Sequence, residues 1–188
     1  MGFQRESLPA KYLGVPLTNK PLHKDIWEFV LNKLKDKISK WTNRALNLAR
    51  RLILTKAILQ SIPIYILSAI PTLTSVITNI RNIQWDFLWG KGEEKKKWAL
   101  VAWDRVCKPK SHGGLGLHDP GIFNRVLGAK VWWRWLKEIQ APWAKLWKQK
   151  YARDWQDKNL ITMTEQVKGS PIWNREWENR ALVQKHSF

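Results

Sequence analysis

Cysteine and acidic residues are scarce in this chain of 188 residues. Cys107 is the single cysteine, which excludes an internal disulfide framework and a zinc cluster built from several cysteines, and which is typical of a reducing compartment. Asp and Glu number 15 against 33 Lys and Arg, so the formal net charge is +18. A chain this basic favours a polyanionic partner: nucleic acid, an anionic membrane surface or an acidic protein.

Long hydrophobic runs are also missing. The most apolar stretch, residues 58–73, contains Gln60, Pro63 and Pro71 and is shorter than the roughly 20 residues that a membrane-spanning helix needs. The first residues lack the apolar core of a signal peptide. We therefore expect a soluble protein, in which residues 58–73 are buried core.

The chain does contain the apolar share of a folded protein and an excess of tryptophan. Hydrophobic residues make up 44% of the sequence and charged residues 26%, a composition that excludes wholesale disorder. The 14 Trp outnumber the three Tyr and five Phe together. A length of 188 residues is enough to bury a sizeable core.

Helical periodicity governs most of the sequence. Apolar residues recur every three or four positions from Asp25 to Trp41 and predict an amphipathic helix with a basic back. Asn43 is a candidate N-cap for a second helix, which Pro63 ends or kinks. A third helix is expected between Thr72, as N-cap, and Gly90, as C-terminal cap.

The second half of the chain mixes short strands with helices. Trp98–Trp103 alternates as a short strand does, and residues 109–117 form a turn-rich segment with a possible second strand. A long helix is predicted from Pro120 through about Glu138, and a shorter one follows Pro142 as far as Tyr151.

The predicted fold class is therefore mainly α: a helical bundle, a short β-hairpin-like segment and a second helical segment. The domain ranges that follow are an extended segment at 1–24, the bundle at 25–90, strands with Trp-rich basic helices at 91–158 and a weakly structured tail at 159–188.

Cations and aromatic residues are interleaved between Lys130 and Lys150. Nucleic-acid surfaces use cations to neutralise phosphates and aromatic faces to stack on unpaired bases. The other interpretation is that the Trp rings are core and the cations are a solvated face. Both interpretations hold if most rings are buried and Lys130, Arg134 and Lys137 contact phosphate.

No motif in the sequence predicts a catalytic or metal centre. Cys107, His112 and His118 are spaced like a partial metal site, but a structural zinc needs four ligands. Ser111 and Asp119 add the residue types of a catalytic triad without a nucleophile motif around them. The sequence thus indicates no metal, no cofactor and no catalytic residue.

The motifs, taken in order, resemble the region just downstream of the catalytic palm in non-LTR (LINE-type) retrotransposon reverse transcriptases, especially plant ones. The matching segments are residues 8–17, 38–41, 46–59, 61–65, 87–90, 98–103, 107–117, 124–135 and 143–151. At 47–51 this sequence has Asn-Leu-Ala-Arg-Arg where the family usually has a Ser-x-x-Gly-Arg turn.

The resemblance implies a helical thumb and its following segment, which in this family grip the template–primer duplex and element RNA. The family's catalytic aspartates lie in a Tyr-x-Asp-Asp turn of the palm, upstream of this region, so we expect a non-enzymatic fragment. Its partner would be RNA or an RNA–DNA hybrid. The candidate nucleic-acid-binding residues are Lys33, Lys37, Lys40, Arg44, Arg50, Arg51, Lys56, Lys130, Arg134, Lys137, Lys145 and Lys148.

Two other functions compete with this one. The chain could be a domesticated remnant that serves as a structural RNA-binding subunit of a ribonucleoprotein such as a ribosome, with other protein subunits as neighbours. A membrane-surface protein is the third hypothesis, which the spread of Trp over many segments disfavours. The expected location is intracellular: nuclear or cytoplasmic for a retroelement product, organellar for a ribonucleoprotein subunit.

Overall fold

The structure, a computed structural model, describes residues 10–12, 15–17, 24–42, 45–90, 101–153 and 169–186, and it confirms a mainly α fold. The helices are α1 (Lys24–Thr42), α2 (Leu48–Leu54), α3 (Ser61–Ala69), α4 (Thr74–Trp89), α5 (Trp103–Cys107), α6 (Pro120–Lys137), α7 (Pro142–Tyr151) and α8 (Pro171–His186). A π-helical turn, Thr55–Leu59, precedes α3, and a 3-10 turn, Lys110–His112, follows α5.

The described residues form two compact units. The first comprises Met1–Ile66 and Leu73–Pro120, and the second comprises Leu67–Thr72 and Gly121–Phe188. The four domain ranges drawn from the sequence remain a prediction, because these units are defined by contacts in the structure and cut across helix α3.

The core of the first unit is built where α1 contacts α4. Trp27, Val30 and Leu34 lie on one stripe of α1 and are buried, and Ile80 and Leu88 of α4 are fully buried. The periodicity of α1 thus places its apolar stripe inward, as the sequence predicts. The rings of Trp41 and Phe87, 5.4 Å apart, extend this core toward the end of both helices.

The second helix begins later than predicted. Asn43 lies outside the described residues, and the N-cap is Asn47, whose side chain accepts a hydrogen bond from the Arg50 N–H at 3.0 Å. Pro63 does not end the helical run, because α3 continues through it from Ser61 to Ala69. The irregularity is the π-helical turn just before α3, and a distortion of this kind is the other outcome that Pro63 predicts.

Of the two caps predicted for α4, the C-terminal one is confirmed and the N-terminal one is wrong. Gly90 adopts the left-handed conformation (φ 63°) and closes α4, as predicted. The N-cap is Leu73, not Thr72, and its side chain makes no capping hydrogen bond. Thr72 instead places its hydroxyl 3.4 Å from the Asn124 side chain, in the second unit.

The expected hairpin after the bundle is not confirmed. Residues 91–100 lie outside the described part, and Trp103 begins helix α5 where it was expected to end a strand. Residues 115–117 run back along α5, with Leu115 donating to the carbonyl of Val106, but no strand is formed within 101–119. The described strands are β1 (Ala10–Tyr12) and β2 (Val15–Leu17), an antiparallel pair in which Lys11 faces Pro16.

The second unit is an aromatic core shared by α6, α7 and α8. Four tryptophans are almost completely buried there: Trp132, Trp135, Trp173 and Trp177. The rings of Trp132 and Trp135 lie 5.0 Å apart, and Tyr151 stacks on Trp173 at 4.4 Å. Offset and edge-to-face pairs of this kind add to the energy of area burial.

The tail at 159–188 is not weakly structured throughout. Pro171–His186 forms α8, and the sequence at its start is typical of a helix N-terminus, with Pro171 at the first helical position and Ser170 as N-cap. The Ser170 hydroxyl accepts a hydrogen bond from the Trp173 N–H at 3.3 Å. Burial of Trp173 and Trp177 against α6 stabilises this helix.

One helical run has membrane-like proportions. Leu48–Ser68 joins α2, the π-helical turn and most of α3 into 21 residues, long and apolar enough to cross a membrane by length and composition alone. The core helix of a soluble protein meets the same criterion, and Leu59, Ile66 and Leu67 are buried here. A single run of this kind is a weak indication of a membrane span.

Candidate nucleic-acid interface

Helix α1 presents a lysine stripe beside its buried stripe. Lys33, Lys37 and Lys40 are all exposed. At about 100° per residue, their spacing of four and three positions keeps them within an arc of roughly 60° on the helix surface. The structure therefore brings these three predicted residues together on one face, which the buried Trp27 and Leu34 orient toward solvent.

The predicted cations of α2 and the π-helical turn have structural neighbours. Arg50 is exposed, whereas the Arg51 guanidinium lies over Gly90, where any added Cβ would collide with it. This position places a positive charge at the C-terminal end of α4, which the helix dipole favours. Arg44 lies outside the described residues.

Lys56 lies close to the glycine-rich loop after α5. Its ammonium would be 3.4 Å from a Cβ added at Gly116, and the Gly116 N–H donates to the Lys108 carbonyl at 2.9 Å. Gln60 anchors the same loop by donating to the His118 carbonyl at 3.0 Å. The loop thus sets Lys56 beside Gly116, whose N–H is bonded to Lys108.

Sequence reasoning missed the exposed cations next to this loop. Arg105, Lys108 and Lys110 are exposed on α5 and the 3-10 turn. The dense basic run 105–110 was visible in the sequence, but only the structure shows that Lys56 comes to the same place.

A buried carboxylate fixes this part of the first unit. Asp119 is 8% exposed and accepts hydrogen bonds from the Arg81 Nε at 2.9 Å and the Trp103 indole N–H at 2.7 Å. Arg81 also forms a salt bridge to it at 2.8 Å. Because this carboxylate holds α4, α5 and the loop together, its role is structural.

In the second unit, the predicted cations surround the aromatic core. Lys130 and Lys145 are exposed and Lys148 is half-buried. Arg134 pairs with Glu138 one turn on, at 3.1 Å, and its guanidinium lies 5.7 Å from the Trp143 ring. The ammonium of Lys137 lies 4.7 Å from the centre of the Trp133 ring.

The interleaved tryptophans are mostly core, as one of the two interpretations predicts. Trp132 and Trp135 are buried, and the Trp135 indole N–H donates to the Ala144 carbonyl at 3.1 Å. Trp133 is the exception, with 40% of its surface exposed. The rings therefore form a scaffold whose outer side carries Lys and Arg.

A second buried charge pair lies inside this unit. Arg175 donates to the Leu67 carbonyl at 3.2 Å and to the neighbouring Glu176 carboxylate, which is fully buried. The second oxygen of Glu176, Oε2, has no hydrogen-bond partner among the described residues. Burial raises the pKa of Glu176 to about 7, although the charge of Arg175 opposes the shift.

The candidate metal and triad residues do not assemble into a reactive centre. Burial, together with Asp119 and Asp104, raises the pKa of the Cys107 thiol to about 12, which disfavours the reactive thiolate. Ser111 and His112 form an exposed pair at 3.0 Å. Over the described ranges, no three His, Cys, Asp or Glu side chains are grouped to hold a metal ion.

Comparison with known proteins gives two relatives, both from Arabidopsis thaliana, while no family model matches the chain. The chain is 35% identical over 169 residues to the "Putative ribonuclease H protein At1g65750", which covers 89% of this chain and 26% of that protein. It is 30% identical over 92 residues to the "Uncharacterized mitochondrial protein AtMg00310", covering 48% of this chain and 60% of that protein.

The chain therefore spans about a quarter of the first relative and 60% of the second. These similarities make the chain a homologue of plant proteins, one of which is named as a putative ribonuclease H.

Proposed function

We propose that the chain is a non-catalytic nucleic-acid-binding fragment of a plant non-LTR retrotransposon reverse transcriptase, corresponding to the thumb and the segment after it. It grips RNA or a template–primer duplex. Two lines support the proposal: the motif resemblance over residues 8–155, and the similarity to a longer plant protein, of which the matching segment is 26%, that is named a putative ribonuclease H.

The observation that carries the proposal is the lysine stripe of α1. Lys33, Lys37 and Lys40 are exposed on one arc of a helix whose neighbouring stripe, with Trp27 and Leu34, is buried and holds the helix in place. A rigid row of cations follows a phosphate backbone without reading its bases. The net charge of +18 supplies the long-range attraction.

The non-catalytic part of the proposal rests on how the acidic residues are distributed. The sequence contains no Asp-Asp pair, whereas two-metal phosphoryl transfer needs carboxylates clustered around Mg²⁺. Asp119 is held by Arg81 and Trp103. The fragment would thus position a duplex for an active site located on another part of a longer protein.

Salt dependence tests this function directly. If about six phosphates are neutralised, the logarithm of the association constant for a 20-base-pair RNA–DNA hybrid falls with the logarithm of salt concentration at a slope of about −5. Fluorescence anisotropy at 50–300 mM salt measures it, with polyglutamate as a competing polyanion. A flat response, or equal competition by polyglutamate, contradicts the proposal.

A second candidate function is a structural RNA-binding subunit of a ribonucleoprotein. The observation in its favour is the mitochondrial relative, in which the matching 92 residues make up 60% of the whole protein, so a related segment exists as a short chain. Co-sedimentation of the native protein with a large particle that RNase disperses supports the subunit. An in-frame palm with paired aspartates encoded before Met1 supports the polymerase fragment.

A further inference from the structure

Helix α6 has an exposed apolar stripe in addition to its buried one. Ile122, Val126 and Trp133 are 54%, 51% and 40% exposed. Their spacing of four and seven residues places them within about 40° of each other around the helix. Two faces of α6 are therefore apolar: one packs into the core through Trp132 and Trp135, and the other lies at the surface.

Trp133 is the aromatic end of this surface stripe. It differs from Trp132 and Trp135, which are 1% and 0% exposed. An exposed ring of this size loses the hydrophobic free energy that its burial would contribute, and no packing contact in the described structure requires the exposure. Lys130 and Lys137, three residues before and four residues after, lie on the same side of the helix.

The charge around the stripe selects the kind of partner. Helices α6 and α7 together contain seven Lys or Arg and no Asp or Glu. The nearest acid, Glu138, pairs with Arg134 at 3.1 Å. A basic protein surface would be repelled here, and a neutral one would leave the cations without counter-charges, whereas a polyanion with flat, apolar groups fits both the charge and the exposed ring.

We propose that Trp133 is a stacking platform for an unpaired base of single-stranded RNA, with Lys130 and Lys137 contacting the flanking phosphates. The inference rests on the proposed function and deepens it, because it names a single-stranded substrate for α6 in addition to the duplex proposed for α1. Bases inside a duplex are already stacked on both faces, so only an unpaired base can cover this ring.

The contact between Lys137 and Trp133 supports this arrangement. The ammonium lies 4.7 Å from the ring centre, a cation–π distance. A phosphate bound by this ammonium would bring its nucleotide within reach of the same ring. Lysine and tryptophan therefore form one binding element for a nucleotide, in which the charge attracts the phosphate and the ring accepts the base.

Substitution of Trp133 in the full-length chain tests the platform. The probes are a labelled 12-nucleotide oligouridine, which has no stable structure, and a 20-base-pair RNA–DNA hybrid. For Trp133→Ala we expect the Kd for oligouridine to rise by about fivefold to a hundredfold, with the salt slope unchanged. The Kd for the hybrid should change by less than about twofold.

Three variants serve as matched comparisons. Trp133→Phe keeps an aromatic face and should retain most of the affinity for oligouridine. Val126→Ala removes an exposed apolar side chain from the same stripe and should leave the affinity unchanged. Lys137→Gln should weaken binding and reduce the magnitude of the single-strand salt slope by about 0.7.

Several results would overturn the platform while leaving the proposed function intact. One is that Trp133→Ala changes the affinities for oligouridine and hybrid equally, or changes neither, while the steep salt slope remains. Another is that the substitution abolishes self-association in sedimentation, or binding to phosphatidylserine vesicles, without affecting RNA. Absence of salt-dependent binding to either nucleic acid would overturn the platform and the proposed function together.

Discussion

The two units bury their cores in different ways. The first relies mainly on aliphatic side chains, with Leu34, Leu59, Ile80 and Leu88 fully buried, although Trp27 is buried with them. The second uses tryptophan, so that Trp173 contacts the rings of Trp132, Trp135, Trp147 and Trp177 and stacks on Tyr151. The difference shows how short helices such as α7 reach a stable core: each ring buries a large area from one position.

The units also display their cations differently. The lysines of α1 form a row along one helix, and between Lys33 and Lys40 the sequence has one acidic residue, Asp36. In the second unit the cations lie over aromatic rings: Lys137 over Trp133, and the Arg180 guanidinium 4.0 Å from the Trp177 ring. A row of ammonium groups suits a continuous backbone, whereas cation–ring pairs suit single nucleotides.

Removing the central ring of the aromatic core should have the largest effect. We expect Trp173→Ala to lower the free energy of unfolding of the second unit by about 3–5 kcal/mol, since it leaves a cavity among five aromatic neighbours. Urea denaturation with hydrogen exchange measures it. The Trp133→Ala substitution, at an exposed ring, should lower the free energy of unfolding by less than about 1 kcal/mol. Equal effects of the two substitutions would refute the contrast between core and surface rings.

In the first unit, the substitution expected to destabilise most removes a polar group, the carboxylate of Asp119. Asp119→Ala should lower the free energy of unfolding by about 2 kcal/mol, because the partly buried indole N–H of Trp103 loses its acceptor. Arg81 is partly exposed and adds little through its charge. Exposed Asp104→Ala on α5 is the control. Thermal unfolding that is identical for both variants would show that Asp119 does not hold this part of the unit.

The second unit should lose stability as pH rises. Glu176 has a pKa of about 7 when folded, against its ordinary 4.5, so the unfolded chain releases this proton at lower pH than the folded chain does. The free energy of unfolding should therefore fall between about pH 4.5 and 7.5, by roughly 1–2 kcal/mol.

A conservative substitution isolates this titration. Glu176→Gln should remove that part of the pH dependence, whereas Glu178→Gln, on the exposed side of α8, should leave it in place. Urea midpoints at pH 5, 6, 7 and 8 distinguish the variants. A rise in stability of the unmodified protein over this range, abolished by Glu176→Gln, would mean that the pair with Arg175 holds the carboxylate ionised.

Much of the fold was predictable because it depends on local periodicity. Helices α1, α4 and α7 follow strong apolar stripes, α6 begins at Pro120 as predicted, and Gly90 is a left-handed cap that only glycine fills easily. Helix α8 was missed because its stability comes from Trp132 and Trp135, about 40 residues away in sequence. Its own polar residues give little helical stripe.

The candidate interface likewise has a part that local sequence predicts and a part that depends on tertiary contacts. The stripe of Lys33, Lys37 and Lys40 needs only helical spacing, so the sequence was sufficient to predict it. The positions of Arg51 over Gly90 and of Lys56 beside Gly116 depend on tertiary contacts. No local pattern in the sequence encodes these contacts. The sequence therefore did not predict that the cations of residues 105–110 lie near Lys56, and they were not among the candidate nucleic-acid-binding residues.

The central claim is that the lysine row of α1 follows a nucleic-acid backbone. The most direct measurement is the salt slope of hybrid binding for Lys33→Gln/Lys37→Gln/Lys40→Gln, with Lys35→Gln, off the stripe on the same helix, as control. The account predicts that the triple variant reduces the magnitude of the slope by about 2.7 and that the control reduces it by much less than the 0.9 expected of one phosphate contact. A triple variant with the slope of the unmodified chain would contradict the claim.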